Sequence, residues 1–298
     1  MLLILISAIW GSTFVLVKDA LHDVSPLLFN LLRMIVATVV LAAIYHRDLR
    51  RLKRSYLAGG AVAGLCLAAG YSFQTAGLAR TTPAKSAFIT GLIVVIVPLL
   101  CAIPAMRTVN MRRPSLFAFA GAALAFGILL LTTPAGTPWV ALFGSINAGD
   151  LLTLLCALGF ALHVVALAHI SPRLPLGALA VLQLAFCTLI MSIALPLFEH
   201  SWIHASPRLV IALLVTGVLA TAVAFTVQSW AQQRLSATHT ALILALEPVF
   251  AFLTSFLFYG ERLSRRASLG ALLILGGIAL TELLPLGAHA TAHEAPVA

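Results

Sequence analysis

Long apolar runs alternate with short polar segments over almost the whole chain. A run of about 20 apolar residues crosses a bilayer as an α-helix, because each residue adds about 1.5 Å of length. Charge clusters, prolines and glycines divide the sequence into ten such runs. The pattern predicts ten membrane-spanning helices, at residues 2–19, 26–45, 56–79, 84–105, 115–133, 149–169, 176–197, 208–231, 238–259 and 267–285.

The second half of the chain repeats the first. Residues 71–91 align with residues 225–245 at an offset of 154 positions, which pairs Gln74 with Gln228. Each copy contains five predicted helices, an odd number, so the two copies must enter the membrane from opposite sides. We predict an all-α integral membrane protein of ten helices in two inverted five-helix repeats. The predicted regions are residues 1–146, residues 147–286 and a disordered cytoplasmic tail at 287–298.

Composition supports a membrane protein. Hydrophobic residues make up 61% of the 298 residues, charged residues only 9%, and the mean hydropathy is +1.08. A water-soluble fold cannot bury that much apolar surface, and about 25% charged residues is usual for one. The net charge of +9 comes from basic residues in short segments between the apolar runs. Those positions indicate topology signals and lipid contacts, not nucleic-acid binding.

The four cysteines lie within apolar runs and lack the spacing of a metal or disulfide site. We therefore expect no metal and no cofactor.

Basic residues in the loops predict the orientation. Five Lys or Arg lie in residues 47–54 and three in residues 106–114, and both loops are cytoplasmic if the N-terminus is cytoplasmic. Lys18, Arg80 and Lys85 lie on the opposite side. We predict a multi-pass protein of the bacterial inner membrane with both termini in the cytoplasm.

Several short motifs occur in a familiar order: WGSTF from Trp10, LEPVF from Leu246 and GERLS from Gly260. With the duplicated ten-helix pattern, they resemble the EamA-type transporters of the drug/metabolite transporter superfamily, including its amino-acid exporters. The resemblance implies a ten-helix inverted-repeat fold, an inner-membrane location and export of small metabolites or amino acids. One departure is residues 159–163, GFALH, where the family commonly has Trp and then an aromatic residue. It leaves open whether Phe160 and His163 line a cavity.

Two charged residues lie inside predicted helices. Arg33 lies about six residues into the second helix, and Glu247 lies at a comparable depth in the ninth, followed by Pro248. A charge within the membrane usually faces the protein interior at a functional site, although a long cationic side chain can also extend to the interface. Proline removes a backbone donor and frees a carbonyl one turn earlier. We expect Arg33 to bind solute and Glu247 to carry a proton if a proton drives transport; a structural carboxylate is the alternative for Glu247.

The remaining candidates are uncharged polar and aromatic side chains expected to line a central cavity. Packing between helices and an aromatic belt at the membrane interface are the alternatives. The predicted solute-binding residues are Arg33, Gln74, Gln228, Trp10, Ser12, Tyr71, Thr90, His163 and Trp230, and the predicted coupling or gating residues are Glu247, Pro248 and Pro98.

These features favour a monomeric exporter of small metabolites, with amino acids as the preferred class. Its partners would be that solute and the lipid bilayer, and it would work by alternating access between the repeats. Two other classes of protein are alternatives. A membrane enzyme acting on lipid-linked substrates needs paired acidic residues or a metal cluster at a membrane face. A non-transporting scaffold or sensor would normally carry a soluble output domain.

Overall fold

The computed structural model describes residues 1–107, 147–262, 264, 265, 268, 269 and 272. The described chain is a bundle of α-helices. They are α1 Leu2–Ala20, α2 Pro26–Ile44, α3 His46–Leu49, α4 Arg54–Leu78, α5 Pro83–Thr90, α6 Ile93–Ala102, α7 Ala148–Ile170, α8 Leu176–Phe198, α9 Pro207–Leu214, α10 Ala224–Gln232, α11 Ala237–Leu244 and α12 Glu247–Tyr259.

Eight stretches of this bundle are long and apolar enough to cross a membrane. α1, α2, α4, α7 and α8 each form one. The others are Pro83–Ala102, from α5 and α6; Pro207–Gln232, from α9 and α10; and Ala237–Tyr259, from α11 and α12. The eight correspond to predicted helices one to four and six to nine, so the multi-pass, all-helical prediction is confirmed for them. The predicted fifth helix, the 287–298 tail and nearly all of the predicted tenth helix lie outside the described residues.

Polar side chains cap several helix N-termini, where backbone N–H groups have no partner within the helix. Thr82 accepts a hydrogen bond from the backbone of Lys85, and Ser206 accepts one from that of Leu209. At the start of α7, Asn147 and Asp150 each accept from the other's backbone N–H. Pro83 and Pro207 directly follow two of these caps as the first residues of their helices, so these helix starts have a local signal in the sequence.

Ion pairs and hydrogen bonds define the two ends of the bundle. Lys85 Nζ lies 2.7 Å from Asp150 Oδ2, so α5 and α7 begin at the same end. Lys18 Nζ donates to the carbonyl of Leu78, so α1 and α4 finish there too. We call this the Asp150 end, and we call the opposite end, where α3 lies, the Arg47 end. Ala102 and Ala148 therefore lie at opposite ends of the bundle.

The two halves of the chain interlock. α4 packs along α7 and α8, α2 along α8, and α1 along α12. Glycine permits one of these close approaches: a Cβ added at Gly60 would lie 2.5 Å from Leu182 Cβ, and one at Gly64 would lie 2.7 Å from the carbonyl of Gln183. The GxxxG pair of α4 thus packs against the second half of the chain within the bundle.

Two spans break at corresponding positions. α5 and α6 are separated by Gly91 and Leu92, and α11 and α12 by Ala245 and Leu246, the same 154 positions on. A Cβ at Gly91 would lie 2.8 Å from Pro248 Cγ, so the two breaks pack against each other.

Pro98 does not form the break in the first copy. It lies inside α6, which continues through it. The break occurs earlier, at Gly91, where the missing side chain makes room for Pro248.

Candidate functional site

A central cavity lies between the two halves of the chain. It contains about 610 Å³ of space not occupied by atoms, part of it open to solvent. The lining residues are Trp10, Thr13, Phe14, Val17, Arg33, Tyr71, Gln74, Thr75, Leu78, Ile93, Phe160, His163, Val164, Phe225, Gln228, Leu244 and Glu247.

Arg33 is a buried cation on this cavity, only 3% exposed. Its Nε and Nη2 atoms donate to Thr221 Oγ1 at 3.2 and 2.9 Å. The guanidinium carbon lies 4.3 Å from the centre of the Tyr71 ring. Within the described part of the chain, no carboxylate forms an ion pair with it. A cation held by a hydroxyl and an aromatic face can still bind an anion.

A π-helical segment, Val215–Val223, positions Thr221. This wider helix connects α9 to α10 and is of a kind often found at functional sites. It packs closely on α2, because a Cβ at Gly217 would lie 2.8 Å from Val36 Cγ1. Trp10 Nε1 donates to the carbonyl of Ala220 at 2.7 Å, so α1 is attached to the same segment.

Asn30 joins α2 to α4 beside Arg33. Its Nδ2 donates to the Tyr71 carbonyl at 2.9 Å, and its Oδ1 accepts from Thr75 Oγ1 at 3.0 Å. Sequence reasoning missed Asn30 and Thr75. The available signal was that Asn30 lies three residues before Arg33, on the same face of a helix.

Aromatic rings form one wall of the cavity. Tyr71 meets Phe160 edge-on at 5.0 Å between ring centres and Phe225 at 5.9 Å. Phe225 also lies 5.3 Å from Trp10 and 5.5 Å from His163. Such tilted and edge-on pairs are favourable ring geometries. Phe160 and His163 both line the cavity. Phe225, which sequence reasoning did not select, also lines it and contacts three of the other rings.

A hydrogen-bonded chain behind this wall holds His163. Its Nε2 lies 3.0 Å from Gln183 Oε1, and Gln183 Nε2 donates to Ser229 Oγ at 3.1 Å. Gln183 is the repeat equivalent of Arg33, yet it is fully buried and takes part in packing between helices. The two copies thus use one position differently.

Glu247 begins α12 at the break in its span. It is 8% exposed and lines the cavity. No hydrogen bond or ion pair to its carboxylate occurs among the described residues. A Cβ at Gly11 would lie 2.5 Å from the Glu247 carbonyl, so α1 presses against the backbone at this point.

Gln74 and Gln228 both line the cavity. Gln228 Nε2 donates to Gln232 Oε1 at 3.1 Å. The Oε1 atom of Gln228 is buried and has no hydrogen-bond partner in the described structure. Gln74, its repeat equivalent, is partly exposed.

Three predicted solute-binding residues lie away from the cavity. Ser12 accepts a hydrogen bond from Thr254 Oγ1, and the hydroxyl of Thr90 lies 3.7 Å from the sulfur of Cys156. Trp230 is 42% exposed on the outside of the bundle. Ser12 and Trp230 each follow a cavity residue by two positions, which places them on roughly the opposite side of a helix. The predicted gating residues Pro248 and Pro98 pack within the bundle and do not line the cavity.

Comparison with known proteins identifies the class. Residues 1–134 and 147–283 match the EamA-like transporter family. The chain belongs to this family. The family's name confirms the prediction of a membrane transporter in place of an enzyme.

Similar proteins agree with this assignment. An uncharacterized transporter of Archaeoglobus fulgidus is 32% identical over 94% of this chain and 84% of its own length. The uncharacterized transporter YoaV of Bacillus subtilis is 25% identical over 93% of this chain and 94% of its own. A solved crystal structure, 21% identical, superposes with a TM-score of 0.71 over 95% of this chain and 97% of its own. That likeness supports the fold.

Proposed function

We propose that this protein exports small metabolites, amino acids in particular, across the bacterial inner membrane by alternating access. The observation that carries the proposal is the central cavity between the two halves. Arg33 from the first half and Glu247 from the second both line it, and neither is neutralised by an ion pair among the described residues. Buried charges facing a cavity between repeats are typical of a transport site near the membrane midplane.

The directions of the spans support an inverted repeat. α1 runs from the Arg47 end to the Asp150 end, whereas α7, at the corresponding place in the second half, runs the other way. α6 ends at the Arg47 end and α7 begins at the Asp150 end, as an odd number of crossings in each copy requires. Thr38 and Thr188, equivalent at an offset of 150 positions, lie 3.1 Å apart through their hydroxyls. Contact between equivalent residues is expected beside a pseudo-twofold axis.

The basic residues support a cytoplasmic Arg47 end. Eight Lys and Arg side chains lie there among the described residues, five of them exposed within residues 47–54. At the Asp150 end, Lys85 and Arg208 are paired with aspartates. Lys and Arg in short loops mark the cytoplasmic side, and the five in residues 47–54 form the densest such group among the described residues. The proposal therefore places both termini in the cytoplasm, and it takes the protein to be a monomer in that membrane.

The two charges have different roles in this proposal. Arg33 binds a carboxylate or other anionic group of the solute. Glu247 couples transport to a proton, and the packed breaks at Gly91 and Pro248 let α5, α6, α11 and α12 move together as the cavity changes its open side.

Counterflow in proteoliposomes tests the proposal. Vesicles loaded with one amino acid should accumulate the same radiolabelled amino acid from outside, and a panel of amino acids and other metabolites identifies the solute. Glu247→Gln should make net transport less dependent on pH, because the amide cannot carry a proton, while counterflow at saturating solute, which needs no net proton movement, should continue. Absence of counterflow for every solute in a well-folded preparation would refute the transport proposal.

A further inference from the structure

Two hydrogen-bond acceptors on the cavity lack donors in the described structure. One is the amide oxygen of Gln228, a residue only 1% exposed. The other is the carboxylate of Glu247, which lines the same cavity. A fully buried acceptor without a partner, such as Gln228 Oε1, is rare in folded proteins because leaving it unpaired is unfavourable. The Glu247 carboxylate belongs to a residue that is 8% exposed and lines the cavity. Both acceptors favour a ligand that brings N–H groups.

The charges narrow the kind of ligand. A carboxylate and an amide oxygen that line one cavity favour a cationic donor, and a primary ammonium offers three N–H groups. Arg33 presents the opposite preference, because its guanidinium lacks a carboxylate partner among the described residues. The Arg33 guanidinium therefore favours a negative group on the solute, and the Glu247 carboxylate favours a positive one.

The aromatic wall links these two regions. Arg33 lies over the Tyr71 ring, and Tyr71 meets Phe225 edge-on. Phe225 lies three residues before Gln228 on α10, so the two are neighbours on one helix face. An apolar group on the solute can contact the wall while the polar groups bind at either side.

We infer that the cavity has two poles: Arg33 binds the carboxylate of a zwitterionic amino acid, and Gln228 Oε1 together with Glu247 binds its ammonium group. The solute's apolar side chain contacts Tyr71 and Phe225. This inference rests on the proposed function and adds the chemistry of recognition to it. An N-acylated acid, an amino amide or a dicarboxylate would leave one pole unpaired.

Three related ligands test the two poles separately. Leucine carries both charges, N-acetylleucine lacks the ammonium and leucinamide lacks the carboxylate. Each is used to compete with radiolabelled leucine in counterflow by the full-length protein in proteoliposomes. We expect each derivative to compete roughly ten- to a hundredfold more weakly than leucine, as the loss of a charged hydrogen-bond partner predicts.

Variants then assign each pole to its residues. In Gln228→Leu and in Glu247→Gln, the preference for leucine over N-acetylleucine should fall several-fold or more, whereas the preference over leucinamide should persist. In Arg33→Gln, the preference for leucine over leucinamide should fall, whereas the preference over N-acetylleucine should persist. Gln233→Leu, a glutamine at the end of α10 that donates to the carbonyl of Ser171 outside the cavity, should change neither preference. If Gln228→Leu does not fold, the isosteric Glu247→Gln tests the same pole.

The outcomes separate this inference from the proposed function. Leucine counterflow with preferences that no variant alters would overturn the two-pole site and leave transport standing. So would counterflow of another metabolite with no competition by any of the three ligands. If no solute at all supports counterflow, the proposed function fails, and the inference fails with it.

Discussion

Replacement of Arg33 by methionine separates a binding role from a structural one. Methionine is unbranched and apolar, and it fills the space of the arginine stem without a charge. Because Arg33 has no carboxylate partner in the described structure, the protein bears the cost of burying a cation. A residue retained for stability alone would not be expected in that state.

The expected stability change is small. The substitution removes the hydrogen bonds to Thr221, worth about 1.5–3 kcal/mol for a charged donor, and the contact with the Tyr71 ring, worth about 2 kcal/mol. It also removes the desolvation cost of a buried cation, which is effectively several kcal/mol. Because these terms oppose each other, we expect the free energy of unfolding to change by less than about 2 kcal/mol. Affinity for a carboxylate-bearing solute should fall about ten- to a hundredfold.

Thermal unfolding in detergent and solute competition in proteoliposomes measure the two effects. Thr221→Val is the matched comparison, because it keeps the cation and removes its hydroxyl partner. We expect it to lower stability by about 1–3 kcal/mol, more than Arg33→Met does. The reasoning is refuted if Arg33→Met unfolds as readily as a large core truncation and loses transport in proportion to folded protein, since Arg33 would then be structural.

Three further predictions concern other parts of the bundle. Gly91→Leu should lower the free energy of unfolding by about 1–3 kcal/mol or more, because the leucine side chain would overlap Pro248 where the two breaks pack together. Thermal unfolding checks this prediction, and an unchanged melting temperature would contradict it. The hydrogen bond from Ser206, followed by the interaction with Arg208, holds the pKa of Asp23 below its ordinary value, so folding favours the charged carboxylate. The wild type should therefore be more stable than Asp23→Asn above about pH 4, and this advantage should be lost as the pH falls through the lowered pKa. Unfolding measured across this pH range checks the sign, which an advantage that grows in acid would contradict. A cysteine at Arg51 should resist an impermeant thiol reagent in intact cells, and ready labelling from outside would reverse the proposed topology.

The apolar pattern determined the spans. All eight stretches that the structure describes begin and end within four residues of the predicted limits. In lipid, every backbone polar group must be paired, and a single segment can pair all of its own groups only as a helix. A long apolar run therefore predicts a membrane-spanning helix. The prolines and capping residues that precede helices, such as Thr82 and Ser206, act locally and are equally visible in sequence.

The sequence was a poorer guide to which side chains on a helix face the cavity. Some of the predicted solute-binding residues line the cavity, among them Trp10, Arg33 and Gln228. Others, such as Ser12 and Trp230, lie on other faces of their helices. Two residues along a helix turn a side chain by roughly 200°. A list of polar and aromatic residues in apolar runs cannot distinguish the two faces unless the neighbouring helices are known.

Only the tertiary structure decided which groups meet. The hydroxyl that holds Arg33 belongs to Thr221, 188 residues later in the chain. The break in the first copy lies at Gly91 and not at Pro98, because Gly91 is where Pro248 of the other copy packs. Hydropathy and caps act within one helix and can be read from one segment, but these contacts arise from the way the two halves interlock, which no single segment encodes.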